Sequence, residues 1–210
     1  MSMFMTEGSA YGRFCDNLDS VWVLHRVAFE QNRMNLESDV SEIYRAEIVL
    51  LVTALDAYIH EVTADLGTER LMNNKLWKKN LTCRCGIPPL LAKRIKKEPN
   101  KHKRMKMFRM ALLKRIQVHT YTRSEAISNA FKKCNISNIW NEVSYYSQDD
   151  TITITKNLDA IVKERNLIVH QAHVNPATGQ KYLMTEQHVE EVRAFISGIV
   201  GKIDFIIRNR

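Results

Sequence analysis

The sequence predicts an all-α protein. Among its 210 residues only seven are glycine and four are proline, so few positions interrupt a regular helix. Apolar residues recur at helical spacing over long stretches, whereas the alternation typical of strands is confined to residues 151–154. That stretch is too short to pair securely, and we expect it to lead into the helix that follows it. The length suits a single domain, residues 1–210, with an elaborated middle.

Two long helices are predicted in the N-terminal third of the chain. The first runs from about Gly12 to Asn32. The second opens within Ser38–Glu42, where a Ser or Asp can act as N-cap, and it ends at about Leu66, with Gly67 as a suitable stop. The residues expected to pack inward are Phe14, Leu18, Val21, Trp22, Leu24 and Ala28 in the first helix, and Ile43, Tyr44, Ile48, Leu51, Ala54, Leu55, Tyr58 and Val62 in the second.

Shorter helices are predicted through the middle of the chain, followed by one more long helix. Pro88-Pro89 supplies the rigid backbone favoured in a first helical turn, and Thr122-Arg123-Ser124-Glu125 fits a capping box. Thr185 is the expected N-cap of the last long helix, after a turn over residues 175–179. The predicted short helices cover residues 68–79, 90–98, 105–119, 122–133 and 137–146.

Positive charge is concentrated in one segment. The chain has a net charge of +8, and Lys75 to Arg115 contains fifteen Lys or Arg residues against one acid, Glu98. The rest of the chain, with 16 basic and 22 acidic residues, has a net charge of −6. This imbalance favours a polyanion partner, which could be RNA, DNA or acidic membrane lipid, over an ordinary solvated helix face. The side chains expected to contact RNA are Lys93, Arg94, Lys96, Lys97, Lys101, Lys103, Arg104, Lys106 and Arg109.

The cysteines and the hydropathy pattern limit the cellular setting. Four cysteines at irregular spacing argue against a disulfide framework. Cys83 and Cys85 are close together, but no second Cys or His pair follows at zinc-finger spacing, although His102 could join them. We therefore expect loop cysteines in a reduced cytoplasm, with no metal and no cofactor. There is no signal-peptide pattern and no uncharged apolar run of about 18 residues, so no membrane span is expected.

One predicted helix, from about Thr155 to Ala172, carries a cation among apolar residues. Arg165 falls at the centre of a stripe expected to face the core, and Asn166 and His170 lie one turn apart at the edge of that stripe, with His173 close by. The other members of the stripe are Leu158, Ile161, Val162, Ile168, Val169 and Ala172. A buried guanidinium must be paired. It could hold a carboxylate of a neighbouring helix and be purely structural, or it could serve a ligand.

The second helix offers the candidate carboxylates. Glu47 falls inside its apolar face and Glu61 lies along the border, so these are the natural partners for Arg165, and Asp56 is a further one. Asp56 and His60 share the more exposed side at i, i+4 spacing. Spacing alone leaves open whether that pair is an ordinary surface contact or part of a functional site.

Together these two helices resemble those of a known family. The segment from Arg165 to His170 looks like the Arg-x4-6-His motif of HEPN-domain endoribonucleases, in its common form with Asn after Arg. Glu47, followed by residues 55–61, is similar to the RiboL-PSP-HEPN branch. The resemblance is clearest over about residues 40–66 and 155–208. It implies a HEPN-like helical bundle of four to five core helices with a basic helical insertion at 68–150, and it favours a site role for Asp56 and His60.

The chemistry that such a motif supports is cleavage of RNA without a metal. RNA supplies its own nucleophile, the 2′-hydroxyl, so the enzyme must move protons and stabilise charge on the phosphate. His170 is suited to the proton transfer and Arg165 to two phosphate oxygens, while Asn166 can position either group. A second apolar line on this helix, formed by Ala160, Leu167 and Val174, could meet a second copy at a two-fold axis. The resemblance implies such a homodimer, with 2′,3′-cyclic phosphate and 5′-hydroxyl products.

Two other interpretations remain open from the sequence. The bundle could be a catalytically silent RNA-binding or protein-interaction module, with Arg165 in a structural ion pair. Less favoured is a membrane-surface regulator that uses the basic helix near residues 105–119. The resemblance further implies settings such as toxin–antitoxin pairs or antiphage defence. It also suggests transfer RNA as a substrate and an antitoxin or regulatory protein as a partner.

Overall fold

A computed structural model describes residues 8–34, 39–73 and 86–210 of the chain. Over these residues the fold consists of eight helices, with an isolated antiparallel bridge between Val174 and Lys181 and no strand. The all-α prediction is confirmed. The helices are α1 Ala10–Arg33, α2 Ser41–Asn73, α3 Pro89–Lys97, α4 Lys101–Ile116, α5 Ser124–Lys133, α6 Ile139–Ser147, α7 Thr151–Gln171 and α8 Glu186–Arg208.

Polar side chains close the first turns of several helices. Each accepts a hydrogen bond from a free backbone N–H in that turn, which offsets the lack of an intrahelical partner there. Thr185, the predicted cap of α8, accepts from the His188 amide at 3.2 Å. The other observed caps are Ser9 for α1, Asn100 for α4 and Asp150 for α7.

Several predicted boundaries are wrong. The helix expected over residues 105–119, for example, is α4, which runs from Lys101 to Ile116. Residues 151–154 are the first turn of α7, because the side chain of Asp150 accepts from the Thr153 amide at 2.9 Å and starts the helix there. Gly67 does not stop α2, which continues to Asn73. A Cβ atom at Gly67 would lie only 2.9 Å from Cδ1 of Leu112, so the glycine serves the close packing of α4 against α2. The first part of the predicted helix 68–79, as far as Asn73, is therefore the end of α2.

Residues 74–85, which include the rest of that predicted helix and the pair Cys83 and Cys85, lie outside the described residues.

The chain divides into two compact units. The first unit comprises Met1–Tyr58, Thr122–Ser124 and Trp140–Arg210, and the second comprises Ile59–Tyr121 and Glu125–Ile139. Helix α2 contributes residues to both. The second unit falls largely within the stretch that we interpreted as a basic insertion, residues 68–150, and that interpretation stays a prediction.

The core of the first unit is built from α1, α2, α7 and α8. Phe14 and Tyr58 meet edge to face, with ring centroids 5.9 Å apart. One inward assignment is wrong: Trp22 is 45% exposed, and the neighbouring buried side chain is His25. The residues that fill this core include Val21, Ile48, Leu51, Leu55, Leu158, Val162, Ile196, Val200 and Ile203.

The apolar stripe of α7 is buried over only part of its length. Leu158, Ile161 and Val162 are buried as predicted, whereas Ile168 is half-buried and Val169 is 49% exposed. Ala172, also assigned to the stripe, is the exposed C-cap of the helix in the left-handed conformation. The packing that covers the middle of α7 therefore does not extend over its last turns, where Arg165 to His170 lie.

The second unit has its own apolar core. Phe108 and Leu112 on one face of α4 pack with Ala64 of α2 and with Ile87 and Ile95, as the periodicity of α4 predicts. Ile127, Phe131 and Ile136 are also fully buried in this unit. The helices that carry the basic side chains, α3 and α4, are thus packed on an apolar core.

Candidate active site on helix α7

The motif residues occupy the C-terminal half of α7. Arg165 and Asn166 are half-buried, and His170 is exposed in the last turn of the helix. After Gln171 the chain turns through two residues of positive φ, Ala172 and His173, whose amides both donate to the carbonyl of Leu167. This turn ends the helix one residue after His170 and leaves the imidazole at the surface.

Arg165 has no carboxylate partner among the residues that the structure describes. Its Nε is buried and finds no hydrogen-bond acceptor there. The expected ion pair with Glu47 or Glu61 is therefore wrong, because both acids are engaged elsewhere. A half-buried guanidinium with an unsatisfied donor is unusual, since buried polar groups are nearly always paired.

Glu47 lies against His25. It is fully buried, and its Oε2 is 3.2 Å from Nδ1 of the imidazole, which is itself only 4% exposed. Burial raises the pKa of the Glu47 carboxyl, and the nearby His25 opposes the rise. The second carboxylate oxygen, Oε1, is buried without a hydrogen-bond partner.

Glu61 belongs to the second unit and pairs with Arg109. The guanidinium of Arg109 also contacts Asp65, with Nε 2.6 Å from Oδ1, so two carboxylates hold it against α2. Although burial opposes the change, the hydrogen bonds that Arg109 donates to Asp65 and Glu61 raise its pKa. These contacts give Arg109, which we expected to bind RNA, a structural role within the protein.

Asp56 and His60, the other two expected supporting residues, fall in different units. Asp56 is half-buried in the first unit. In the second unit, Nε2 of His60 lies 3.1 Å and 3.0 Å from the carbonyl oxygens of Ile116 and His119, so it donates to the end of α4. A role for Asp56 and His60 in the site stays a prediction.

Most of the basic side chains expected to contact RNA are exposed in the second unit. Arg104 and Arg109 differ from the others because they are half-buried. Nη1 of Arg104 is 3.4 Å from the carbonyl oxygen of Glu98, and its Nε is buried. The exposed members are Lys93, Arg94, Lys96, Lys97, Lys101, Lys103 and Lys106.

Beside the motif lies a polar network that the sequence analysis missed. Arg45 of α2 is only 4% exposed, and its Nε donates to Nδ1 of the buried His173 at 3.4 Å. The same guanidinium donates to the carbonyl of Tyr182 at 2.7 Å. Burial lowers the pKa of His173, and Arg45 lowers it further, while the Glu164 carboxylate opposes them.

Glu164, which directly precedes Arg165, links this network to α8. Its carboxylate oxygens lie 2.9 Å and 3.0 Å from Nε2 of His188, and Oε1 is 3.9 Å from Nε2 of His173. The network ties α2, α7 and α8 together around the motif. The residues around Arg45 in the sequence gave no sign of this network. The sequence did show that His173 lies close to the motif.

Comparisons with known proteins place the chain in a family. No curated protein and no solved structure matches it. Over the part of the chain that the structure describes, no helix combines the length and the apolar character that crossing a membrane requires. The sequence profile of the RiboL-PSP-HEPN family matches residues 19–209, which include α2, α7 and α8. HEPN domains are commonly ribonucleases. The chain therefore belongs to the RiboL-PSP-HEPN family.

Proposed function

We propose that the protein is a homodimeric endoribonuclease that cleaves RNA without a catalytic metal. The 2′-hydroxyl attacks the adjacent phosphate, and the bond to the 5′-oxygen breaks, which leaves a 2′,3′-cyclic phosphate and a 5′-hydroxyl end. Arg165 stabilises the charge on the phosphate, His170 transfers the proton, and Asn166 positions one of them.

The unpaired guanidinium of Arg165 carries this proposal. A purely structural arginine at this position would need a carboxylate, and none of the described residues supplies one. A phosphate offers oxygens in the geometry that the planar guanidinium fork matches, and such bidentate bonds are about twice as strong as neutral ones. The unsatisfied donor at the motif is therefore consistent with a site prepared for a phosphodiester.

The exposure of His170 supports its role in proton transfer. A general acid or base must come within hydrogen-bond distance of its substrate, and a polymer such as RNA can reach only the protein surface. The imidazole lies in the last turn of α7, on the same helix as Arg165 and within about a turn and a half of it. The reaction nevertheless uses both a general acid and a general base, and the motif supplies only one histidine.

A second copy of the chain would supply the second histidine. The predicted second apolar line is open to such a copy, because Ala160 is exposed and Leu167 and Val174 are half-buried. Two copies of α7 meeting along this line would bury it and bring two Arg–His pairs into one groove.

The exposed lysines and arginines of α3 and α4 form the surface that we assign to RNA binding. Neutralising several phosphates releases as many counterions, so binding is expected to weaken steeply with salt. Transfer RNA is the first substrate to test. The family resemblance also supports a role in a toxin–antitoxin pair or antiphage defence, controlled by an antitoxin or regulatory protein.

The decisive experiment measures cleavage of labelled transfer RNA by the purified protein in the presence of EDTA. We expect His170→Ala to reduce the cleavage rate by about 10²- to 10⁴-fold, the usual contribution of a general acid or base. Its dimerisation and RNA affinity should stay close to those of the wild type. Gln171→Ala is the matched control, because it changes the exposed neighbour on the same turn without removing an imidazole.

Three results would count against the proposal. Cleavage by His170→Ala at the wild-type rate would remove this histidine from the mechanism. A strict need for an added divalent metal would indicate a different reaction. RNA binding by the wild type without any cleavage would favour the catalytically inactive RNA-binding module.

A further inference from the structure

A histidine and two glutamates converge at one end of the first unit. His25 of α1 is 4% exposed, and its Nε2 lies 3.5 Å from Oε1 of Glu186 and 3.8 Å from Oε1 of Glu190, both on the first turns of α8. One ligand atom from each of the three residues lies within 4.8 Å of the other two. Glu186 and Glu190 are one helical turn apart, so their carboxylates approach the imidazole from the same side.

We propose that Nε2 of His25 and the carboxylates of Glu186 and Glu190 bind a divalent transition-metal ion of the Zn²⁺ class. Imidazole nitrogen combined with carboxylate oxygen suits zinc and its neighbours, whereas Mg²⁺ and Ca²⁺ favour oxygen ligands alone. The carboxylate side chains are 38% and 52% exposed, which gives the ion a route of entry and leaves room for water as a further ligand.

Glu47 is an independent sign of a cation at this place. It is fully buried, its Oε2 faces Nδ1 of His25 at 3.2 Å, and its Oε1 has no hydrogen-bond partner. Histidines that bind metals usually donate their other ring N–H to a carboxylate, which fixes the tautomer and directs the free nitrogen at the ion. Here Glu47 is the carboxylate that faces Nδ1 of His25, and Nε2 is the nitrogen that faces Glu186 and Glu190. A bound cation on the far side of the ring would also strengthen the bond to the buried carboxylate.

The local charge favours a divalent ion. Among the described residues, the carboxylates of Glu47, Glu186 and Glu190 face a single guanidinium, that of Arg193, which leaves two negative charges in excess. Arg193 lies 3.5 Å from Glu190 through Nη2, but its guanidinium is also stacked over the ring of Trp22 at 4.4 Å. That stacking holds the guanidinium over α1, so Arg193 can stay in place when Glu190 turns toward an ion.

The bound ion would join α1 to the start of α8, with α2 behind the imidazole. Its ligands include none of the residues proposed for catalysis. Because the ion would bind only to the folded state, we expect it to raise the stability of the first unit.

Calorimetric titration with Zn²⁺ tests the proposal on the tag-free 210-residue chain after removal of metals. We expect the wild type to bind one Zn²⁺ per chain and to unfold at a higher temperature when the ion is present. The double variant Glu186→Gln/Glu190→Gln should lose at least about 100-fold in affinity, and Glu47→Gln about 10- to 100-fold, as for the loss of a carboxylate behind a metal-binding histidine. Glu191→Gln, at an exposed position beside the site, should bind like the wild type.

A further variant separates this site from the cysteines. The variant Cys83→Ser/Cys85→Ser lacks the two thiols that are close to each other in the sequence, and it should bind Zn²⁺ with wild-type affinity. The absence of binding by the wild type, undiminished binding by the folded double glutamine variant, or loss of binding with the cysteines would each overturn the proposal. Since ion binding and unfolding temperature are the readouts, the outcome is independent of whether the protein cleaves RNA.

Discussion

Arg109 and Asp65 form an ion pair in which Nε of the guanidinium lies 2.6 Å from Oδ1 of the carboxylate, and Glu61 contacts the same guanidinium. All three side chains are about one-quarter exposed. Within a segment dominated by positive charge, this arginine therefore differs from the exposed lysines around it. It joins α4 to α2 and has little freedom to reach a phosphate.

We expect Arg109→Ala to lower the free energy of unfolding by about 1–2 kcal/mol. This value lies between those for exposed and buried ion pairs, since the variant leaves two partly buried carboxylates facing each other without their cation. Urea denaturation measures the change. A stability equal to that of the wild type would show that the pair contributes nothing measurable.

Lys106→Ala is the matched comparison on the same helix, because Lys106 is exposed. We expect its stability to stay within about 0.5 kcal/mol of the wild type. If Lys106 contacts a phosphate, its loss should reduce the slope of log affinity against log salt by about 1. Binding of RNA at several salt concentrations measures this slope, and an unchanged slope would remove Lys106 from the RNA surface.

Ala160→Glu tests the proposed dimer. Ala160 is exposed in the single chain, so a charge there should leave the monomer folded, but in the dimer it would place two like charges in an apolar interface. We expect the variant to be a monomer in analytical ultracentrifugation and to lose RNA cleavage.

The control for this variant is Ile152→Glu, which introduces the same charge at a 63% exposed position in the first turn of the same helix. It should dimerise and cleave like the wild type. An Ala160→Glu protein that remains a fully active dimer would place the interface elsewhere.

Acid should destabilise the protein through His173. Burial, aided by Arg45, lowers the pKa of this imidazole below its ordinary value of about 6.5. Below about pH 6.5 the unfolded chain therefore binds more protons than the native state, and the stabilisation that is complete above this pH is lost as the pH falls through the lowered pKa. Unfolding free energies measured between about pH 8 and pH 5 report this loss.

His173→Asn is the variant that separates this effect from general acid denaturation. Asparagine tolerates the positive φ of 56° at this position, and its side-chain oxygen can accept the hydrogen bond from Arg45. Its stability should fall less steeply with acid than that of the wild type. Identical pH profiles for the two proteins would contradict the assignment.

Several local features were predictable because they depend on residues close together in the chain. The helical period identified every helix in the described ranges, and Thr185 was recognised as a cap from its position before an apolar run. Gly67 shows the limit of such reasoning. A glycine after an apolar run is typical of a helix end, but here its missing side chain accommodates Leu112, which lies 45 positions further along the chain.

The ionic contacts were not predictable in the same way. Arg165 was given a carboxylate partner because a buried cation usually needs one, and Glu47 and Glu61 were chosen because they lie on or beside an apolar face. Glu47 instead meets His25, 22 positions away, and Glu61 meets Arg109, 48 positions away. Helical projection gives the direction of a side chain from its own axis and contains no information on which helix is placed opposite.

The sequence by itself determined the helical class, the starts of α2 and α8 and the position of the Arg-Asn-x3-His motif, because each depends on short-range spacing and residue type. Only the tertiary structure decided that Arg165 keeps an unsatisfied donor, that His170 stays at the surface, and that Arg45 meets His173 across 128 positions of the chain. The physical reason is that charge pairing and burial depend on how separate helices pack, and that packing is set by the whole core.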